Sequence, residues 1–184
     1  MSLEHAILGF LADEPLTGYD LKKAFDASVQ NFWHANQSQI YRSLKKMEHD
    51  GWVTQEVIPQ NDRPPRKLYH LTDSGMAELV QWLAIPARVR RMRMEWLVKV
   101  FFAHHLPDEA IRGVFRTRAK DLRRRLESLR TEAQAMVDRQ HQRLNADRAR
   151  ALWQITLDHG IAATEWELEW IEDALKRLEH IPAE

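Results

Sequence analysis

The chain has 184 residues, enough for one large domain or two small ones, and its 44% apolar content lets it fold without covalent staples. It contains no cysteine, which excludes disulfides and thiolate metal sites, and no apolar run approaches the roughly 20 residues that span a bilayer. Its 27 basic and 27 acidic side chains cancel, and residues 1–85 alone carry 8 basic against 11 acidic groups, a net of −3, so affinity for a polyanion has to come from local clusters. The first residues, MSLEHAILGFLADEP, have acidic groups where a secretory leader has basic ones, and a cytoplasmic protein is expected.

Leu3, Ile7, Leu8 and Leu11 recur at helical spacing and Pro15 ends that first helix, because proline disfavours helical geometry in the residue before it. Thr17 can cap a second helix carrying Leu21, Ala24, Phe25, Ser28 and Val29 on one side, with Asp20 placing negative charge at its positive end. After Phe32 and Trp33, the cap-forming run Asn36, Gln37, Ser38 opens a third helix whose core stripe is Ile40, Leu44 and Met47. Its opposite face is expected to show Gln39, Arg42, Ser43 and Lys46, flanked by Tyr41 and Lys45, and Gly51 is expected to end it in the left-handed conformation.

Residues 52–58 are rich in strand formers and residues 67–71 alternate apolar with polar. The connection between them, PQNDRPPR at 59–66, holds three prolines and two arginines and reads as a stiff, positively charged hairpin tip. Thr72 to Gly75 open a fourth helix with Met76, Leu79, Val80 and Leu83 expected inward. Three helices followed by a hairpin is the order of a winged helix-turn-helix, in which the third helix enters the DNA major groove and the hairpin touches the adjacent backbone.

Pro86 marks a boundary between a 1–85 reading domain and an 86–184 helical domain. Phe115, Ala119, Leu122, Leu126, Leu129, Ala133 and Met136 alternate steps of four and three, a coiled-coil seam of about three heptads. A last helix over about 147–179 carries Trp153, Leu157, Ile161, Leu168, Ile171, Leu175 and Leu178 on one stripe, with Leu152, Trp166 and Trp170 nearby. That face is too broad for one partner, which predicts a helix serving both its own subunit and a second one. The fold class expected is therefore mainly α with a small β-hairpin: an N-terminal winged helix-turn-helix and a C-terminal antiparallel helical dimerisation domain.

For contact with DNA the candidates are Ser38, Gln39, Tyr41, Arg42, Lys45 and Lys46 on the third helix and Arg63, Arg66 and Lys67 at the hairpin. Gln suits adenine edges and Arg suits guanine edges, so Gln39 and Arg42 are the expected base readers, with the lysines on phosphate. Tyr19, Trp33, Trp96 and Arg93 are candidates for an effector site. Phe101, Phe102 and the neighbouring Arg88, Arg90 and Arg91 fit the same idea, against plain readings as core aromatics and a solvated basic face. Nine histidines show no metal-ligand spacing, and there is no Gly-rich phosphate loop or GxSxG, so no metal, cofactor or catalysis is expected. A winged-helix protein-interaction module on a coiled-coil scaffold stays open as the alternative, supported by the net negative charge of residues 1–85.

LTGYDL at 16–21, FW at 32–33, SQIYRSLKKMEHDGWV at 38–53, RKLYHLTDSG at 66–75 and MEWLVKVFFAHHL at 94–106 together resemble the PadR family of transcriptional regulators, in its larger subfamily with a helical C-terminal domain. The resemblance implies a homodimer that binds an inverted-repeat operator, acting as a repressor released by a small molecule. A phenolic acid is one effector so implied; a regulator sensing planar drugs at the dimer centre stays open as a further alternative.

Overall fold

The computed structural model describes residues 2–29, 35–59, 65–87, 93–144 and 146–180. By contact density the chain divides into two compact units, Met1–Arg88 and Val89–Glu184.

The first unit runs α1 (Ser2–Asp13), β1 (Leu16–Thr17), α2 (Gly18–Ala27), α3 (Gln37–His49), β2 (Val53–Ile58), β3 (Arg66–Leu71) and α4 (Asp73–Ala84). Its core gathers Ile7, Leu8, Leu21, Phe25, Ile40, Leu44, Met47 and Val53, all almost completely buried, so α1, α2 and α3 each contribute the stripe their spacing predicts. The helix starts are chemically fixed. Thr17 Oγ1 accepts from Asp20 N at 3.1 Å and Thr72 Oγ1 from Gly75 N at 3.1 Å, while Asn36 and Gln39 form a reciprocal capping box. Gly51 adopts φ +75°, the left-handed turn expected at the end of α3.

The sheet has three antiparallel strands in the order β1-β3-β2, one more than the sequence patterns suggest, because two residues of β1 are too few to show a period. Arg66 belongs to β3, opposite Ile58, and not to the connection as the prolines had suggested. In α4 only Leu79 of the four expected inward residues is buried; Met76, Val80 and Leu83 lie on the outside of the unit. The reason lies in α1. His5 is buried against α4, stacked 4.6 Å from the Trp82 ring with Nε2 2.9 Å from Glu78 Oε1, so α4 faces α1 with Glu78, Leu79 and Trp82.

The second unit is helical: α5 (Glu95–Phe101), a short turn over Ala103–His105, α6 (Asp108–Ser128), a π-helical stretch (Leu129–Ala133), α7 (Gln134–Leu144) and α8 (Asp147–Leu178). α8 runs back along α6 and α7 and buries two clusters. One is centred on Phe115, Ala119, Leu122 and Ile171, the other on Leu129, Val137 and Leu157. Arg118, which donates from Nε and Nη2 to Glu167 Oε1 at 2.9 and 2.7 Å, and the Gln134–Gln154 amide pair at 3.1 Å tie the helices along their flanks.

The expected seam holds from Phe115 to Ala133 and then slips. Val137 is buried in place of Met136, which is only half-buried. An α-helix turns about 100° per residue, whereas a π stretch turns less, and over five residues the lag amounts to about one residue's rotation. The hydrophobic face is thereby passed on one position later than a heptad count gives. Among the described residues no helix is long and apolar enough to cross a membrane.

Candidate nucleic-acid interface

Helix α3 separates its chemistry cleanly. Ile40, Leu44 and Met47 are fully buried, and Ser38, Gln39, Tyr41, Arg42, Lys45 and Lys46 are exposed. Ser43 departs from expectation. It is 8% exposed, because it lies three residues after Ile40 and four before Met47 and the helix carries it onto the inner stripe.

The exposed residues are not equivalent. Gln39 Oε1 accepts from Asn36 N at 2.9 Å, so its carbonyl is engaged in the cap and its amide NH2 is the group left to donate. Lys46 Nζ stands 3.6 Å from Glu4 and 3.8 Å from Asp50, with the Trp52 ring centroid at 5.7 Å. Arg66 Nη2 donates to Asp20 Oδ2 at 2.7 Å. Among the described residues, Arg42, Lys45 and Lys67 form no ion pair, which leaves them as the cations available to an incoming polyanion.

The wing and α3 meet through the start of α2. Pairing of Leu16 with Tyr69 and Thr17 with Leu68 sets the first turn of α2 beside the base of β3. Gly18 allows the close approach: a Cβ there would lie 2.5 Å from Tyr41 Cε1, so only glycine lets the tyrosine ring lie against α2. The outcome is an open recess of about 480 Å³ lined by Thr17, Tyr19, Asp20, Tyr41, Pro65, Arg66 and Lys67. Lys23 Nζ sits 4.4 Å above the Tyr19 ring on its rim.

Burial alone would push the Asp20 carboxyl up. The hydrogen bonds it accepts from Thr17 and Arg66, with the Arg66 charge, outweigh this and hold it below the usual carboxylate range. The sequence singled out Asp20 for the helix end only. Its pairing with a residue 46 positions away has no local signature, and only the β1–β3 pairing creates it.

The effector candidates are distributed over both units. Tyr19 is exposed beside the recess of the first. In the second, Arg93 is exposed, and Trp96 is half-buried edge-on to Trp170 at 5.7 Å and Phe115 at 6.5 Å, with the Arg118 guanidinium 5.4 Å above its ring. Trp96 Nε1 is buried and has no hydrogen-bond partner among the described residues. Phe101 and Phe102 are exposed and pack edge-to-face on each other at 5.0 Å. Trp33, Arg63, Arg88, Arg90 and Arg91, like Phe32, lie outside the described residues. Among the described residues there is no cluster of side chains able to hold a metal ion.

Residues 7–81 match the "Transcriptional regulator PadR-like family" and residues 92–179 the "Virulence activator alpha C-term" family. The chain is 34% identical over 131 residues to the "Negative transcriptional regulator PadR" of Bacillus subtilis, covering 69% of this chain and 70% of that one. It is 45% identical over 86 residues to "Probable transcriptional regulator Rv1176c" of Mycobacterium tuberculosis, a match that spans 47% of this chain and 46% of the relative's length. The crystal structure of Bacillus subtilis PadR in complex with operator DNA superposes with a TM-score of 0.81 at 26% identity, covering 97% of this chain and 99% of that chain. The same protein solved with p-coumaric acid gives a TM-score of 0.75 at 24% identity over 98% of this chain and 100% of that one. The three-strand sheet and helical remainder are thus a PadR winged-helix fold, and the chain belongs to the PadR-like family of transcriptional regulators, which bind and do not catalyse.

Proposed function

We propose that the protein is a homodimeric repressor that reads an inverted-repeat operator with α3 and the hairpin and leaves it when a small aromatic acid binds. The observation that carries this reading is the division of α3, with a largely apolar face in the core and Ser38, Gln39, Tyr41, Arg42 and Lys45 outward, next to the tip end of a hairpin bearing Arg66 and Lys67. The Bacillus subtilis relative solved on operator DNA supports it. Arg42 is assigned to base edges, Lys45 and Lys67 to phosphate, Tyr41 and Ser38 to backbone positioning, and Gln39 to a single-donor contact. Arg63 at the tip is assigned to the adjacent groove. Lys46 and Arg66 contribute after loosening from their acidic partners.

With a duplex selected by the wild-type protein from genomic fragments, Arg42→Ala is expected to lower affinity by roughly 10- to 100-fold and to relax preference at one base per half-site, the effect of losing a bidentate base contact of about 1–3 kcal/mol. Lys67→Ala is expected to weaken selected and unrelated duplexes alike and to reduce the slope of log affinity against log salt by about 1. Mobility shifts leaving both variants at wild-type affinity overturn the assignment. Binding indifferent to salt favours the protein-interaction alternative.

Dimerisation is assigned to α8. Leu152, Ile155, Trp166 and Trp170 are exposed large apolar residues on one helix, and they are arranged with local twofold symmetry. Running a second α8 antiparallel about a point near Gly160 and Ile161 brings 152 opposite 170 and 155 opposite 166. Ala162 and Ala163, both exposed, stand near the centre, where small side chains let backbones approach.

The effector reading rests on Trp96. An indole N–H buried without an acceptor is costly, and a carboxylate or phenol oxygen would satisfy it with Arg118 close by. The p-coumaric acid complex of the Bacillus subtilis relative supports an aromatic acid over a planar cationic dye. Titration with p-coumaric acid is expected to quench tryptophan emission and release DNA in the wild type, and to do neither in Trp96→Leu. Quenching and release by planar cationic dyes alone would instead mark a drug sensor. Arg93, in the same unit, is assigned a subsidiary part, tested by the same titration of Arg93→Ala.

A further inference from the structure

We propose that Asp20 is an electrostatic brake on DNA binding, the protein's own anion occupying the place where a backbone phosphate would otherwise seat on Arg66. The inference rests on the DNA-binding reading above and adds an acidic residue that works against it.

The recess between α2, α3 and the wing has the makings of an anion site. It lies at the positive end of α2, with Arg66, Lys67 and the Tyr41 ring around it. The anion it contains is a side chain. Asp20 Oδ2 accepts from Thr17 Oγ1 at 2.6 Å and from Arg66 Nη2 at 2.7 Å. Thr17 in turn holds the first turn of α2 by accepting from Asp20 N, so the carboxylate is fixed by its own helix whether or not Arg66 is present. Arg66, by contrast, is a half-exposed strand-end residue paired with Asp20. The acid is built in, and the base is what it captures.

Two consequences separate this from a purely structural pair. A phosphate approaching Arg66 meets a guanidinium already neutralised, and fewer counterions are released than the number of cations at the wing implies. Lys46 is restrained in the same manner by Glu4 and Asp50, so acidic side chains of residues 1–85 moderate two cations of the reading surface. Non-specific binding draws almost all its free energy from phosphate neutralisation. A brake of this kind therefore keeps the protein off unrelated DNA.

The test uses the full-length protein and a fluorescein-labelled duplex of mixed sequence at low salt, followed by anisotropy. Asp20→Asn keeps an acceptor for Thr17 and removes the charge; affinity is expected to rise roughly fivefold, as follows from losing one surface charge near the contact, and the salt slope to steepen. Asp20→Ser, with a hydroxyl suited to a first helical turn, should give the same gain should the asparagine variant melt early. In an Arg66→Ala background the gain should vanish, because the brake acts through Arg66. Affinity that is unchanged or lower in both Asp20 variants overturns the proposal, a loss matching that of Arg66→Ala showing that Asp20 merely positions the arginine. A gain that persists without Arg66 overturns it as well. Wild-type protein and Arg42→Ala both failing to bind any duplex would instead mark the failure of the DNA-binding reading itself.

Discussion

Ile155→Glu is expected to turn the protein into a monomer and to remove tight operator binding. Ile155 is 62% exposed and Trp166 66% exposed on α8, so neither supports the helix packing of its own subunit. In the proposed antiparallel pairing each meets the other across the twofold, and a carboxylate placed there is buried with no cation opposite. Such a group costs several kcal/mol, and symmetry applies the penalty twice. A rise of about a thousandfold or more in the dimer dissociation constant follows. Two half-sites held in one dimer gain about 100- to 10,000-fold over separate reading heads, and operator affinity should fall by that factor. Light scattering gives the mass, circular dichroism shows the helices intact, and mobility shift reads the DNA loss. Ile155→Leu should behave as wild type. A variant that stays dimeric with undiminished operator binding would place the subunit contact elsewhere.

Gly75→Ala should strongly destabilise the reading head while sparing the helical unit. A Cβ on Gly75 would fall 2.2 Å from the Trp52 carbonyl oxygen and 2.8 Å from Leu71 Cδ1. Leu71 can turn aside, but the carbonyl is backbone and is itself engaged, accepting from Thr72 N at 3.1 Å. The same corner holds two more bonds, from the Thr72 and Ser74 hydroxyls to the Gly51 carbonyl at 2.8 and 2.7 Å. One methyl group therefore opposes a network that joins the end of α3 to the start of α4. A cost of about 3 kcal/mol, the upper part of the overpacking range, is a large share of a small domain's stability. Thermal melting should show an early transition absent from the wild type. Gly113→Ala, where a Cβ would meet nothing within 4 Å, should leave melting unchanged or raise it slightly through helix propensity.

Much of this architecture is legible in the sequence because it is local. Thr17, Asn36 and Thr72 announce helix starts by chemistry that acts within three residues, and Gly51 announces a turn by the backbone angle it alone tolerates easily. The stripe of α3, and with it the outward set from Ser38 to Lys46, follows from period alone, apart from Ser43 at the margin. What escaped depends on distant parts of the chain. The outward row of Met76, Val80 and Leu83 is set by how His5 fills the space under α4. The recess, and the capture of Arg66 by Asp20, exist because a two-residue strand pairs with β3. Charge totals are the least informative guide, since the cations of the reading surface differ in whether an acid already holds them: among the described residues Lys46 and Arg66 are held, and Arg42, Lys45 and Lys67 are not.

The π-helical stretch at Leu129–Ala133 bears on how this chain is compared with its relatives. A homologue without the extra residue keeps the same helix packing only if every apolar position after the stretch comes one place earlier in its sequence. Aligning the two then calls for a one-residue gap inside a continuous helix, where gaps are ordinarily least welcome. An alignment that refuses it sets Met136 against the other chain's core residue and leaves Val137 beside a surface one. Similarity would then seem to decay through α7, although the packing it encodes is unchanged.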